Sequence, residues 1–399
     1  MSRGAFAKDT GMPVYLDCNA TTPILPEVLE AMLPFLREEF GNPSSSHPLG
    51  RRAHDAVATA RAHVAALIGA KPDEIVFTSG GTEASNIAIR GTLRDGAKRP
   101  IVTSVLEHPA TNEPCRLLAE QGYAVHRIRA HADGRIDADA AIAAIRAGAG
   151  LVTLIHAQNE TGVLQPVAEI AAAAHDNGAL VHADAAQSVG KVAVDVDTLG
   201  VDLLSIAGHK LYAPKGIGAL YARRGTPLRP VLRGAGQERG VRPGTENVAA
   251  IVALGEACRL AAKRLRDGTH DMRPLAKALL DRLERDVPGL ALVGHPTERL
   301  PNTLNVLFPG VSGRAVLAAC PDVMASTGSA CHADREEASG VLRALGIPEE
   351  KALGAVRLSV GITTTMADVE AAAAALAQAW REVSRGSARI AEPVTGALP

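Results

Sequence analysis

The chain has 399 residues, 47% of them hydrophobic and 21% charged, a balance that fits one large globular domain plus a smaller one and excludes a disordered chain. A formal net charge of -1 offers no basic surface, so neither nucleic acid nor anionic membrane is expected as a partner. No stretch approaches the roughly 18 uninterrupted apolar residues of a membrane helix, and the opening "MSRGAFAKDTGMP" lacks the apolar run of a signal peptide, so the expected location is cytoplasmic.

From about residue 53 to 260, short apolar runs alternate with Ala-rich helical patterns. "EIVFTSGG", "RPIVTSV", "YAVHRIR", "LVTLIHA", "ALVHADAA" and "VDLLSIAG" read as buried strands, each bounded by Gly, Pro or polar residues. Between them, "EASNIAIRGTLRDG", "NEPCRLLAEQG", "ADAAIAAIRAG" and "VAEIAAAAHDNG" read as helices, the last with Gly178 placed to end it. This alternation predicts a mostly parallel sheet covered on both faces. Near residue 255 the pattern changes. A long Ala/Leu/Arg stretch from roughly 248 to 286 predicts one or two helices. It is followed by a strand in "PNTLNVLF", a helix around "GRAVLAAC", a strand in "AVRLSVG" and a final helix from about Met366 to Ser384. The residues "RGSARIAEPVTGALP" read as a frayed tail.

Ligands of an open α/β sheet bind beyond the carboxyl ends of its strands. "FTSGGTEASN" runs from a strand through Gly81 and Thr82 into a helix, whose free N–H groups and positive dipole suit a phosphate. Alone, such a turn is also an ordinary strand-to-helix connection. In "ALVHADAAQSVGK", Asp184 and Gln187 follow an apolar strand, where a carboxylate either caps the next helix or faces a bound cation. In "VDLLSIAGHKLYAPKGIGALY", His209 and Lys210 end another. A lysine is usually solvated, but one set directly on a buried strand is desolvated, which lowers its pKa and makes it a Schiff-base nucleophile. A lysine, a carboxylate and a phosphate cup together describe a site for pyridoxal 5'-phosphate, which needs a Lys at its aldehyde carbon and an Asp at its ring nitrogen.

The motifs "FGNPSS", "IVFTSGGTEASN", "EHPA", "NETGV", "DAAQSVGK", "GHKLYAPKGIGALY", "RPGTEN", "GSAC" and "VLRALG" run through most of the chain. With them the sequence resembles the cysteine desulfurases and selenocysteine lyases, within the class V branch of fold-type I pyridoxal phosphate enzymes. The resemblance implies an α/β fold: a large domain at 21–262 with a mostly parallel seven-stranded sheet between helices, and a smaller α+β domain at 1–20 and 263–399. The latter would carry a mobile catalytic loop at about 325–340. It further implies that Lys210 is the Schiff-base lysine, that Asp184 holds the ring nitrogen and Gln187 the ring hydroxyl, and that His108 stacks on the ring. Gly81, Thr82 and His209 would hold the phosphate, together with Thr245 from a partner subunit, hence a homodimer with shared sites. Asn159 and Arg357 would hold the substrate carboxylate; Arg suits that job by its bidentate fork. Cys331 would be the nucleophile that takes sulfur from cysteine, leaving alanine and a persulfide for an acceptor protein, with His108 or His332 near enough to lower its pKa.

One departure bears on this. Many cysteine desulfurases have a phosphate-binding serine two residues before the histidine of Gly-His-Lys, and here Ala207 stands there. Ser205 shares that strand face but lies far back. The selenocysteine lyases are similar to this chain in an apolar residue at that place and in the start of "CHADREEAS", so selenocysteine lyase, or another pyridoxal phosphate-dependent β-lyase, is the alternative activity. Of the five cysteines, none is spaced C-x-x-C, so neither a disulfide framework nor a metal site is expected. Cys115 and Cys258 lie in helical patterns and read as core fillers, Cys320 reads as structural, and the resemblance implies that Cys18 would lie near the cofactor without doing chemistry.

Overall fold

A computed structural model describes residues 13–92, 98–269, 271–328 and 337–391. Cys331 and His332 lie outside the described residues. The strands in chain order are β1 (Val14–Tyr15), β2 (Ile75–Thr78), β3 (Ile101–Ser104), β4 (Val125–Ile128), β5 (Leu151–Ile155) and β6 (Leu180–Asp184). They continue as β7 (Leu203–Ala207), β8 (Gly218–Ala222), β9 (Ala291–Leu292), β10 (Thr303–Leu307), β11 (Val323–Met324) and β12 (Ala355–Ser359). Each of the six strands expected from the sequence is present, but β4, read as buried, is an edge strand with only Ile128 buried, because it has a neighbour on one side alone.

Seven strands form one sheet in the order β2-β8-β7-β6-β5-β3-β4, and β8 alone runs antiparallel to its neighbours. Strands buried on both faces need no polar alternation, which is why β2, β3, β5 and β7 read as nearly continuous apolar runs. Each fully buried Leu, Ile or Val of these strands contributes about 1.5–3 kcal/mol. The long helix Pro48–Leu67 packs on Val248–Asp267, and a Cβ on Gly255 would lie 2.5 Å from Ala60 Cα, so glycine is what lets these helices approach.

The sheet's centre is not wholly apolar. His182 on β6 bonds Thr153 Oγ1 at 2.8 Å and Ser205 Oγ at 2.9 Å, and Ser85 Oγ donates to Ser205 Oγ at 3.1 Å. Every member has a partner, which offsets the cost of burying it.

A second, antiparallel sheet has the order β12-β10-β9, and β1 pairs in parallel with β11. Its own apolar core includes Leu279, Leu283, Val306, Val356, Leu358 and Leu376. The 248–286 stretch forms two helices, Val248–Asp267 and Arg273–Asp286, separated after Gly268 in the left-handed conformation. The last helix runs from Met366 to Ala391, past the end near Ser384 that the sequence suggested. Its residues beyond Ser384 hold good helix formers and no proline until Pro393, which restricts the residue before it.

Candidate active site

The polar residues read from the sequence converge at the carboxyl ends of the parallel strands. β2 leads through Gly80 into the helix Gly81–Gly91. β3 leads to His108, which caps the helix Pro109–Glu120 by accepting from Ala110 N–H at Nδ1 (3.1 Å). Asp184 is the last residue of β6, and β7 ends in a 3-10 turn, Gly208–Lys210. Local sequence dictates the tightness of this end. A Cβ on Gly218 of β8 would lie 2.7 Å from Gly80 Cα and 2.5 Å from Ile206 O.

Between these ends lies a cleft of about 430 Å³ including the solvent at its mouth. Gly81, Thr82, His108 and Asn159 line it, with Asp184, Gln187, His209 and Lys210. An adjoining outer part is walled by Thr21, Ser79, Thr82, His209 and Lys215. The electrostatics follow from burial. Burial lowers the Lys210 pKa, the Asp184 carboxylate raises it again and the Arg357 cation lowers it. Burial also lowers that of His108, as does Lys210, with Asp184 acting the other way. Burial with the Lys210, Lys215 and His108 charges takes His209 down to about 4, and its Nδ1 lies 3.2 Å from Thr21 Oγ1. A neutral imidazole there can donate without carrying charge.

Arg357 does not line the cleft but reaches its edge. The residue is buried in β12; its Nη1 donates to the carbonyl of Asn159 (3.2 Å) and its Nη2 to Asp17 Oδ1 (2.7 Å), while its Nε is buried without a partner. Thr245 is exposed and off the cleft of its own chain. Ala207 turns its methyl against the cup: a Cβ on Gly81 would lie 3.3 Å from Ala207 Cβ. Ser205 is spent in the chain with His182 and Ser85, so it does not replace the missing donor.

The cysteines in the described residues sort as expected. Burial pushes Cys115, Cys258 and Cys18 up to about 12, which leaves inert thiols at neutral pH, and Cys320 is buried. Sequence reasoning missed several polar residues around the cleft. Lys191, in "DAAQSVGK", is tied to Gln187 and Asn19; Thr21 and Lys215 stand at the outer part; Glu107 and Glu160 are largely buried carboxyls flanking His108 and Asn159. Their one signal was position, each within a few residues of a residue already singled out.

The donor set fits pyridoxal 5'-phosphate. A desolvated lysine faces a buried carboxylate, a glycine cradle opens a helix, and the buried Arg357 Nε lacks a partner beside Asn159. The family model for aminotransferase class-V matches residues 14–372. The chain belongs to that family. This class-V chain is similar to cysteine desulfurase 2 of Trichormus variabilis, 46% identical over 364 residues that cover 90% of each protein. It is equally similar to a cysteine desulfurase of Cereibacter sphaeroides, 46% identical over 90% of this chain and 93% of that one. Among solved structures, a NifS-like protein superposes with a TM-score of 0.86 at 33% identity, covering 94% of this chain and all of that one. SspA in complex with cysteine does so with a TM-score of 0.78 at 34% identity, over 88% and 99% of the two chains.

Proposed function

We propose that this protein is a pyridoxal 5'-phosphate-dependent cysteine desulfurase. The observation that carries this reading is the convergence of Lys210, Asp184 and the Gly81 helix start in one cleft, each at the end of a different strand. Lys210 anchors the cofactor at its aldehyde carbon, Asp184 holds the positive ring nitrogen, and Gln187 and Asn159 meet the ring-hydroxyl side. Gly81, Thr82 and His209 hold the phosphate. Thr21 and Lys215, at the outer part of the same cleft, offer a donor and a cation in place of the hydroxyl absent at Ala207. When bound, the cofactor supplies an electron sink for negative charge at the substrate Cα. Lys210 Nζ, desolvated and so a competent base, moves the proton at that Cα. His108 Nε2 is the ring nitrogen left to hold a proton beside it, because Nδ1 is occupied as an acceptor. Arg357 and Asn159 orient the substrate carboxylate. The Cys331 thiolate attacks the substrate sulfur and forms a persulfide as the carbon–sulfur bond breaks; the electron pair goes to Cβ, which takes up a proton so that the amino acid leaves as alanine, and an acceptor protein receives the sulfur.

The chain is organised as a cofactor-binding unit at 21–262 and a second at 1–20 and 263–399. Two separate apolar cores support that division, although Leu342, Leu345 and Ala352 join the first core. The working form is a cytoplasmic homodimer. Support for the dimer comes from Thr245, which is exposed where it would serve a partner's phosphate cup rather than its own.

The test is a side-by-side assay of alanine and sulfide release from cysteine and alanine release from selenocysteine, with Cys331→Ser in parallel. Cysteine turnover that disappears in the variant is expected. Equal cysteine turnover by Cys331→Ser refutes the persulfide route, and a wild-type protein that turns over selenocysteine alone establishes the lyase instead.

A further inference from the structure

Lys191 is a lysine in an unusual setting. Its Nζ donates to Asn19 Oδ1 at 2.9 Å and to Gln187 Oε1 at 2.8 Å. Its titratable neighbours are the cations Lys210 and Arg357 and the neutral thiol of Cys18, with no carboxylate among them. Burial and those cations take its pKa down to about 7. An ammonium placed so is costly, and its two acceptors say what it is used for.

Asn19 cannot give way. Its Nδ2 donates to Thr303 Oγ1 (2.9 Å) and to the Asn159 carbonyl (3.3 Å), its N–H donates to Ser359 Oγ (2.9 Å), and its Oδ1 also accepts from Asn302 Nδ2 (3.2 Å). Gln187 is therefore the partner whose orientation Lys191 decides. In its ammonium form, held below about pH 7, the group has donors only, so the amide then turns Oε1 toward it and Nε2 away. One Nε2 hydrogen goes to the Asn19 carbonyl at 3.0 Å. The other is left for the cleft that Gln187 lines. Without Lys191 the Asn19 carbonyl alone is left to oppose the flipped amide, which would present an oxygen to the cleft.

We propose that Lys191 is a positioning residue: by holding Gln187 Oε1 inward it makes that amide a hydrogen-bond donor to the ring oxygen of bound pyridoxal phosphate. The proposal rests on the cofactor reading above. It also accounts for a lysine four residues after Gln187, across a turn in which Gly190 is left-handed.

The test measures the dissociation constant of pyridoxal phosphate, the absorption spectrum of the bound cofactor and the melting temperature of cofactor-free protein. The proteins are wild type, Lys191→Met, Gln187→Met and the double variant. If Lys191 acts through Gln187, Lys191→Met weakens binding about fivefold, the worth of one ordinary hydrogen bond, in the wild-type background. It then changes binding less than about twofold in the Gln187→Met background, because the interaction is already gone. The Lys191→Met spectrum should move toward that of Gln187→Met. Equal losses in both backgrounds, or an unmoved spectrum and affinity, overturn the proposal and leave Lys191 a structural residue, which the cofactor-free melt would register. If Lys191→Met is not recovered folded, Lys191→Gln is scored by the same background comparison, since an amide both donates and accepts and cannot fix the polarity. A wild-type protein that takes up no pyridoxal phosphate removes the cofactor reading itself, an outcome separate from any effect of the variants.

Discussion

Glu107 offers a quantitative handle on the floor of the site. Its Oε1 accepts from Ser104 Oγ at 2.5 Å and from Ile155 N–H at 3.1 Å, joining the ends of β3 and β5. Its Oε2 is closed off from solvent with no partner, although the residue as a whole keeps some exposure. Burial pushes its pKa up to about 8; the Ser104 and Ile155 hydrogen bonds pull it down and the nearby Asp184 carboxylate raises it. A carboxyl raised in the folded state binds its proton more tightly there than in the unfolded chain. Its stabilisation is thus complete below the unfolded value of 4.5 and is lost as pH rises through about 8. At about 1.4 kcal/mol per pH unit, the wild type should lose roughly 2–3 kcal/mol at this group between pH 6 and pH 9. Glu107→Gln keeps the Oε1 acceptor and cannot ionise, but places an unpaired amide donor where Oε2 lies, a pH-independent cost of about 1–3 kcal/mol. Urea unfolding of cofactor-saturated protein, followed by circular dichroism at both pH values, measures the offset between variant and wild type. The variant should be the less stable at pH 6, and the offset should move in its favour by roughly 2–3 kcal/mol at pH 9. An offset equal at the two pH values would show that Glu107 holds no proton in the folded state, and the desolvation argument would fail.

Two further outcomes follow from neighbouring groups. Arg357→Lys keeps a cation but loses the fork that spans Asp17 and Asn159; KM for cysteine should rise roughly 10–100-fold with a smaller change in kcat, and an unchanged KM would remove Arg357 from the substrate site. Burial lowers His156 and His182 to about 4 from 6.5, so their contribution is present above 6.5 and lost as pH falls through 4. His182→Gln should flatten the acid limb of the stability profile by up to about 3 kcal/mol; an acid limb as steep as wild type would contradict a neutral His182.

Much of the site was legible because strand ends are written locally. An apolar run that stops at "HAD" or "IAGHK" marks both the strand and the residue delivered at its end, and the parallel sheet gathers those ends into one cleft. β8 escaped notice as a strand since "GALYA" is short, begins with glycine and lies inside a motif quoted for other reasons. Ala207 was readable as a missing hydroxyl, but not what faces it, because Gly81 comes from a different strand-to-helix turn. Lys191 was hidden for a related reason. A lysine after a glycine reads as solvated, and only the fold supplies Asn19, which stands 172 residues away in the chain. The general distinction is between groups placed by their own strand and groups defined by partners from another unit. Lys210 and Asp184 are of the first kind; Lys191, Arg357 and Glu160 are of the second. Asn159 joins the two kinds: its side chain faces the cleft while its carbonyl accepts from both Asn19 and Arg357. A shift of β12 against the large sheet would therefore reach the cleft first through that one carbonyl, so the Arg357 guanidinium and the Gln187 amide belong to one hydrogen-bonded network rather than two.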